Sequence, residues 1–469
     1  MSSDEPSMTP SQEPEDDTPE LVNPSLLPPN YAQKIETDIL DPVVINDDFI
    51  RFTLPKKGFL SHQSKITFAI EGQNNNKSAY FPLNIGVNSV IQRAVLKAGN
   101  RTICETDDWN YLQCYRSLFL TPENNKERER FLTQRMLSRQ PEYDNTTATN
   151  TNAPTYAIDT GVYIDEASGD YAMPLYSTMS NEARKPSPVY SIFLGDLFDI
   201  FNGNNLPLYM LTDEITIELY TSESANKRTW IGSGGANDHN FRLEQSQVKM
   251  VYDTIYYDGE TMEKYRQRVN RTGLTMSYVD YRLTRRTGPV NTFSSIVQNL
   301  GGAGRLVDKV ILGLTDSSQT GAQNEIVILN NYVAIANGQV GAPLTLNIRY
   351  NDRDEFTRDL DNPAVQLNES RVAEQGAPMY VTTSEYSSIL QPTSITSNNI
   401  ETRDTRTGLQ GSLVWNSFRL KRGERVNNQG IDLVYKTGIV GVDAHELKVW
   451  LALRKVARIE NGLLTCYFA

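Results

Sequence analysis

From about Val43 onward the chain alternates apolar and polar residues with a period of two, and this pattern limits its folds more than any other feature. Ile66, Phe68 and Ile70 alternate with Lys65, Thr67 and Ala69; Ile215, Ile217 and Leu219 alternate with Thr216, Glu218 and Tyr220. Leu344, Leu346 and Ile348 follow the same rule, as do Leu447, Val449, Leu451 and Leu453. Successive side chains of a strand point to opposite faces, so this pattern predicts half-buried β-strands rather than helices. The last forty residues end in a predicted hairpin: two apolar runs flank Glu460-Asn461-Gly462, and Asn-Gly is the dipeptide that tight hairpin turns favour.

Helix signals are few and short. Thr121 and Pro122 supply a hydroxyl cap and a proline at the first helical position, which predicts a helix to about Leu137. A second helix is expected from Gly259 to just before Gly273, whose missing Cβ suits a C-terminal cap. The apolar stretches Trp109–Phe119 and Val189–Phe201 can each hold a short helix. Residues 139–188 and 350–410, rich in Asn, Thr, Pro and acids, are expected to be long surface loops. The fold class expected is all-β, with helices in the connections.

Residues 1–30 stand apart. They hold seven acids (Asp4, Glu5, Glu13, Glu15, Asp16, Asp17, Glu20), seven prolines and no Lys or Arg, and so carry −7 of the net −12. Like charge and proline prevent a core, so the arm over 1–44 is expected to be disordered when free, either as a solvated tail or as a segment that orders on a partner. FRLEQSQVKMVYDTIYYDG (241–259) is echoed by ELKVWLALRKVARIENG (446–462). The echo predicts two tandem β units, 45–258 and 273–469, joined by the helix at 259–272.

Signs of chemistry are sparse. With 45 basic and 57 acidic residues, the chain is a poor non-specific coat for nucleic acid. Three Cys (Cys104, Cys114, Cys466), with no CxxC pair, and three scattered His (His62, His239, His445) argue against a disulfide framework or a zinc site. Phosphate loop, HExxH and GxSxG motifs are all missing; Gly232–Gly235 and Gly301–Gly304 suit turns. Asp352, Asp354, Glu355, Asp359 and Asp361 crowd one segment but lack the spacing of a calcium loop. No catalytic, cofactor-binding or metal-binding residue is assigned. Three basic clusters remain: Arg282, Arg285 and Arg286; Arg419, Lys421, Arg422 and Arg425; Arg454, Lys455 and Arg458. They form either an ordinary ion-paired surface or contacts between subunits, including docking of the acidic arm. The N-terminus lacks the basic and apolar regions of a secretory signal, so synthesis in a reducing, cytosolic compartment is expected.

Two stretches carry a family resemblance. IGVNSVIQRAVLKAGNRTICETDDWNYLQCYRSLF (85–119) and SPVYSIFLGDLFDIFNGNNLPLYMLTDEITIELY (187–220) resemble the double jelly-roll major capsid proteins of polinton-like viruses, virophages and related large eukaryotic DNA viruses. The first looks like the family's strand, tight Gly99-Asn100 turn, strand and flanking helix. The C-terminal ELKVWLALRKVARIENGLLTCYF is similar in character to the last strands of the second barrel. The resemblance implies two tandem eight-stranded jelly rolls in one chain. It also implies a homotrimer of pseudo-hexagonal outline that tiles an icosahedral shell around double-stranded DNA, through faces burying on the order of 2,000–5,000 Å². Neighbouring capsomers, penton and minor capsid proteins would be the partners, and outer loops could meet a host receptor. Such a protein is not an enzyme, needs no cofactor, binds no nucleic-acid sequence and resides in the virion. The alternatives are a penton or minor capsid subunit of the same lineage, or a β-sandwich carbohydrate-active enzyme or lectin. The scattered Trp109, Trp230, Trp415 and Trp450 give little support to a sugar cleft.

Overall fold

In a computed structural model, the structure describes residues 32–73, 79–80, 86–117, 119, 163–165, 170–172, 189–221, 230–231, 240–287, 296–316, 342–361, 363–375, 415–420, 423–438 and 445–469. Residues 1–31, the helix expected at 121–137, His239, Gly232–Gly235, Lys421 and Arg422 lie outside them.

Four larger antiparallel sheets organise the chain. One orders Tyr190–Phe193, Lys65–Phe68, Lys249–Tyr257, Phe59–Leu60 and Leu206–Pro207, with Ala32–Leu40 also paired to Lys249–Tyr257. The second orders Val44–Ile45, Phe49–Thr53, Ile215–Thr221, Ile91–Ala98 and Arg101–Asp107. Both contribute to one hydrophobic core, with Phe52, Ile66, Phe68, Leu96, Ile217 and Met250 inside it. The third sheet orders Leu274–Thr287, His445–Glu460, Val307–Asp316 and Trp415–Arg419, and Leu463–Phe468 pairs with the end of the long strand His445–Glu460. The fourth orders Ile296–Gly301, Ile431–Gly438, Ala342–Tyr350 and Arg353–Asp354. Leu312, Ile348, Phe418, Leu433 and Val449 pack between these last two. Neighbouring strands are mostly remote in sequence, as in two β-sandwiches of jelly-roll type.

The expected helices at 109–119 and 259–272 are present as α1 (Trp109–Ser117) and α2 (Gly259–Thr272). The side chain of Asp258 accepts a hydrogen bond from the Thr261 N–H at 3.0 Å, and Gly273 ends α2 at φ 76°. Acceptor at the start and left-handed glycine at the end explain both boundaries. The Asn461-Gly462 turn also forms where expected, with φ 50° and 79°.

Three expectations need correction. Residues 65–70 are not one strand: Lys65–Phe68 and Ile70–Gln73 join different sheets, and the Ala69 carbonyl between them accepts from the Glu244 N–H at 2.9 Å. The 350–410 loop holds α3 (Pro363–Ala373), with proline at its first position. Its buried stripe is polar: Gln366 donates to the Leu360 carbonyl at 3.0 Å, and the Ser370 hydroxyl accepts from the Ser417 N–H at 3.0 Å. No apolar periodicity therefore betrays it. Finally, Ala32–Leu40, placed with the arm, pairs in antiparallel register with Lys249–Tyr257 as a strand of the first sheet.

Candidate functional site: the seam between the sandwiches

Strand Arg101–Asp107 of the first sandwich lies against strand Leu274–Thr287 of the second, and their polar groups interlock. Asp108 sits in the turn after its strand at φ 48°, a left-handed conformation that aspartate tolerates better than most residues. Its side chain is only 1% exposed and receives two cations, Arg285 at 2.6 Å and Lys448 at 2.7 Å. The Lys448 ammonium, 4% exposed, also lies 3.8 Å from the centre of the Tyr111 ring. Asp108 and Lys448 thus have counter-charges, and Lys448 an aromatic face as well, in place of water, while Arg285 stays half-exposed at the edge of the seam. Beside this triad the Trp450 indole donates to the Asp107 carbonyl at 3.1 Å.

A second buried pair lies along the same seam. Asp280 pairs with Lys455 and accepts from the Glu105 N–H at 3.1 Å. Burial raises the Asp280 carboxyl above its ordinary pKa, and this outweighs the opposing pull of Lys455. Burial likewise raises Asp107, despite the nearby Arg93. The Tyr278 hydroxyl donates to the Ile103 carbonyl at 2.8 Å, and the Val279 N–H to Asp199 at 2.7 Å. Farther along, the Tyr115 hydroxyl reaches Ser417 and Glu374, and Glu374 is also paired with Lys309. At the opposite end the Thr212 N–H donates to the Gly462 carbonyl at 2.8 Å, which docks the C-terminal hairpin turn onto the first half.

The basic clusters therefore divide. Arg285 and Lys455 are consumed in the seam, Arg454 pairs with Asp308 at 3.1 Å and Arg458 with Glu460 at 3.0 Å. Arg282, Arg419 and Arg425 are exposed. Within the acidic segment Asp354 pairs with Arg349 at 2.8 Å, Asp361 with Arg358 at 2.9 Å, and Asp359 accepts from Asn347 at 2.9 Å. Among the described residues no three His, Cys, Asp or Glu converge as a metal site, and no helix is long and apolar enough to cross a membrane. His62 meets the Asn205 amide oxygen at 3.2 Å. Cys104 is buried, which raises its pKa, and the Cys466 thiol faces the Thr102 carbonyl at 3.5 Å. Gly301, Gly302 and Gly304 all have φ between 72° and 83° in the turn before Val307–Asp316.

Sequence reasoning missed Asp108, Lys448, Tyr111, Tyr278 and Trp450 as one constellation. A signal was present: in Leu447–Leu453 the outward slots hold Lys448, Trp450 and Ala452, and all three are buried. A strand with tryptophan and alanine in its nominally polar slots is covered on both faces.

No protein-family model matches the sequence, and no curated protein matches it either. Solved structures do. A chain of the Sputnik virophage cryo-EM structure matches at TM-score 0.57 with 11% identity, covering 100% of this chain and 94% of that one. The Faustovirus major capsid protein matches at TM-score 0.52 with 9% identity, covering 90% of each chain. The mavirus major capsid protein matches at TM-score 0.50 with 11% identity, covering 92% of this chain and 90% of that one. At these identities the likeness concerns the fold, and that fold is the all-β double jelly roll of these capsid chains.

Proposed function

We propose that this chain is a major capsid protein that builds an icosahedral virion shell around double-stranded DNA. One observation carries the reading: the likeness to capsid chains runs through both sandwiches and nearly the full length of each partner, not through one sandwich alone. The seam supports it physically. A shell subunit must hold its two barrels at a fixed angle, because each edge contact in a lattice inherits any error in that angle. Buried ion pairs and interlocked hydrogen bonds supply such fixed geometry.

The proposal extends to organisation and partners. The first unit, which begins with the strand Ala32–Leu40, and the unit 273–469 are joined by α2 and stand side by side; three chains make a six-barrelled capsomer; neighbouring capsomers, pentons and minor capsid proteins complete the shell. The protein acts as structure and not as an enzyme. A penton reading is weakened by the second pair of sheets, since one barrel per chain suits fivefold assembly. A sugar-binding reading is weakened by Trp109, Trp415 and Trp450, which are buried and not available to line a cleft.

Purified full-length protein should have the mass of a trimer by light scattering and a roughly hexagonal outline by negative-stain microscopy. A monodisperse monomer or a fivefold ring would refute the proposal.

A further inference from the structure

The seam leaves one basic patch unspent at its rim. Arg282 and Arg305 have no ion pair among the described residues, in contrast to Arg285, Arg454, Lys455 and Arg458. The Arg305 guanidinium lies 4.0 Å from the centre of the Phe468 ring, and the Lys455 ammonium lies 4.9 Å from the same ring. Phe468 is 38% exposed and its neighbour Tyr467 47%. Burial, and then the positive charge of Arg282, lower the Arg305 pKa; only Asp280 pulls the other way. That acid is itself paired with Lys455. A guanidinium and an ammonium over a partly exposed aromatic ring, with the exposed Arg282 close enough to repel Arg305, favour a ligand that brings several carboxylates and little bulk.

The chain carries that ligand. Residues 4–20 hold seven acids, no base, and Pro6, Pro10, Pro14 and Pro19, whose restricted backbone loses less entropy on docking. The arm can also reach. Ala32 pairs with Tyr257, immediately before α2, and α2 leads into the strand that carries Arg282. That route is about 21 Å of helix plus about 26 Å of strand. An extended chain from Asp17 to Ala32 spans roughly 50 Å.

We propose that the rim patch of Arg282, Arg305 and Phe468 is the docking site of the chain's own acidic arm, residues Asp4–Glu20. The inference concerns the isolated chain and goes beyond the shell reading, so either can fail without the other. It is tested on full-length protein with a glutamate-specific protease, which can cut the arm after Glu15 and Glu20; the bonds after Glu5 and Glu13 precede Pro6 and Pro14 and resist it. In low salt the arm should be cut slowly. Cutting should accelerate at least fivefold in 0.5 M salt, and equally in Arg282→Glu/Arg305→Glu with its melting temperature unchanged. Adding Asp16→Lys/Asp17→Lys to that variant should restore protection. If the charge reversal misfolds, Arg282→Gln/Arg305→Gln serves instead, with an acceleration of about threefold. Equal cutting of native and variant chains overturns the proposal. So does a short DNA duplex that binds the native patch, is lost in the variant and displaces no arm.

Discussion

The two sandwiches depend on each other unequally. The second core, from Leu300 to Leu453, is built wholly from second-half residues. The first core is not self-sufficient: Leu274, Met276, Tyr278, Ala457, Ile459 and Leu464 lie within it, all downstream of α2. The donors are the ends of the two longest strands, Leu274–Thr287 and His445–Glu460, together with the short strand Leu463–Phe468. The other part of His445–Glu460, Leu447 to Leu453, belongs to the second core. One ribbon thus closes both cores, and the halves of the chain are not two beads on a linker. Ala457, Ile459 and Leu464 are needed to finish the first sandwich.

The sharpest way to break this picture is to strand a charge in the seam. Asp108→Ala should remove the counter-charge that Arg285 and Lys448 share. Since Lys448 is buried, the cost should be about 3–5 kcal/mol, the range for breaking one side of a buried pair. Urea unfolding measures it. A cost below about 1 kcal/mol would mean that water reaches Lys448 and that the seam is looser than described.

A smaller effect tests the asymmetry itself. Ile459→Ala and Leu433→Ala each empty a fully buried site, and each should cost about 2–5 kcal/mol. Their locations of damage should differ. Hydrogen exchange in Leu433→Ala should quicken in the second-half strands alone, whereas Ile459→Ala should also quicken Ile91–Ala98 and Arg101–Asp107. Confinement of the Ile459→Ala effect to residues 273–469 would show that the shared ribbon does not couple the cores.

Much of this was legible in the residues. Period-two alternation marks the strands because each has at least one apolar face, and Asn461-Gly462 marks its hairpin because only left-handed residues close so tight a turn. The family resemblance and the helix at 259–272 also follow from local signals. What stayed hidden was long-range or polar. In Ile215–Thr221 the alternation suggests an exposed polar face, yet Thr216 and Glu218 are buried, the latter paired with Lys97 at 2.6 Å. α3 stayed hidden because its inward stripe is Gln366 and Ser370. The seam stayed hidden because Asp108 and Lys448 are 340 residues apart, and no local pattern encodes their meeting. Basic clusters in a sequence do not reveal which members are internally paired; only the fold separates Arg285 from Arg282.

The finest test concerns the sign of one titration. Burial raises the folded-state pKa of Asp280 above its ordinary value of 3.8, so the native state holds that proton more tightly than the unfolded chain does. The contribution of this group to stability should therefore grow as pH falls through the raised pKa, and level off below the unfolded value. Other carboxylates titrate in the same range, so the readout is the difference between the native chain and Asp280→Asn, which lacks this proton site. Acidification from neutral pH towards pH 4 should shift the melting temperature in favour of the native chain relative to the variant. A shift the other way would mean that attraction to Lys455 outweighs the loss of hydration. The seam would then be held by its ion pair, rather than by the packing that forces Asp280 and Lys455 together.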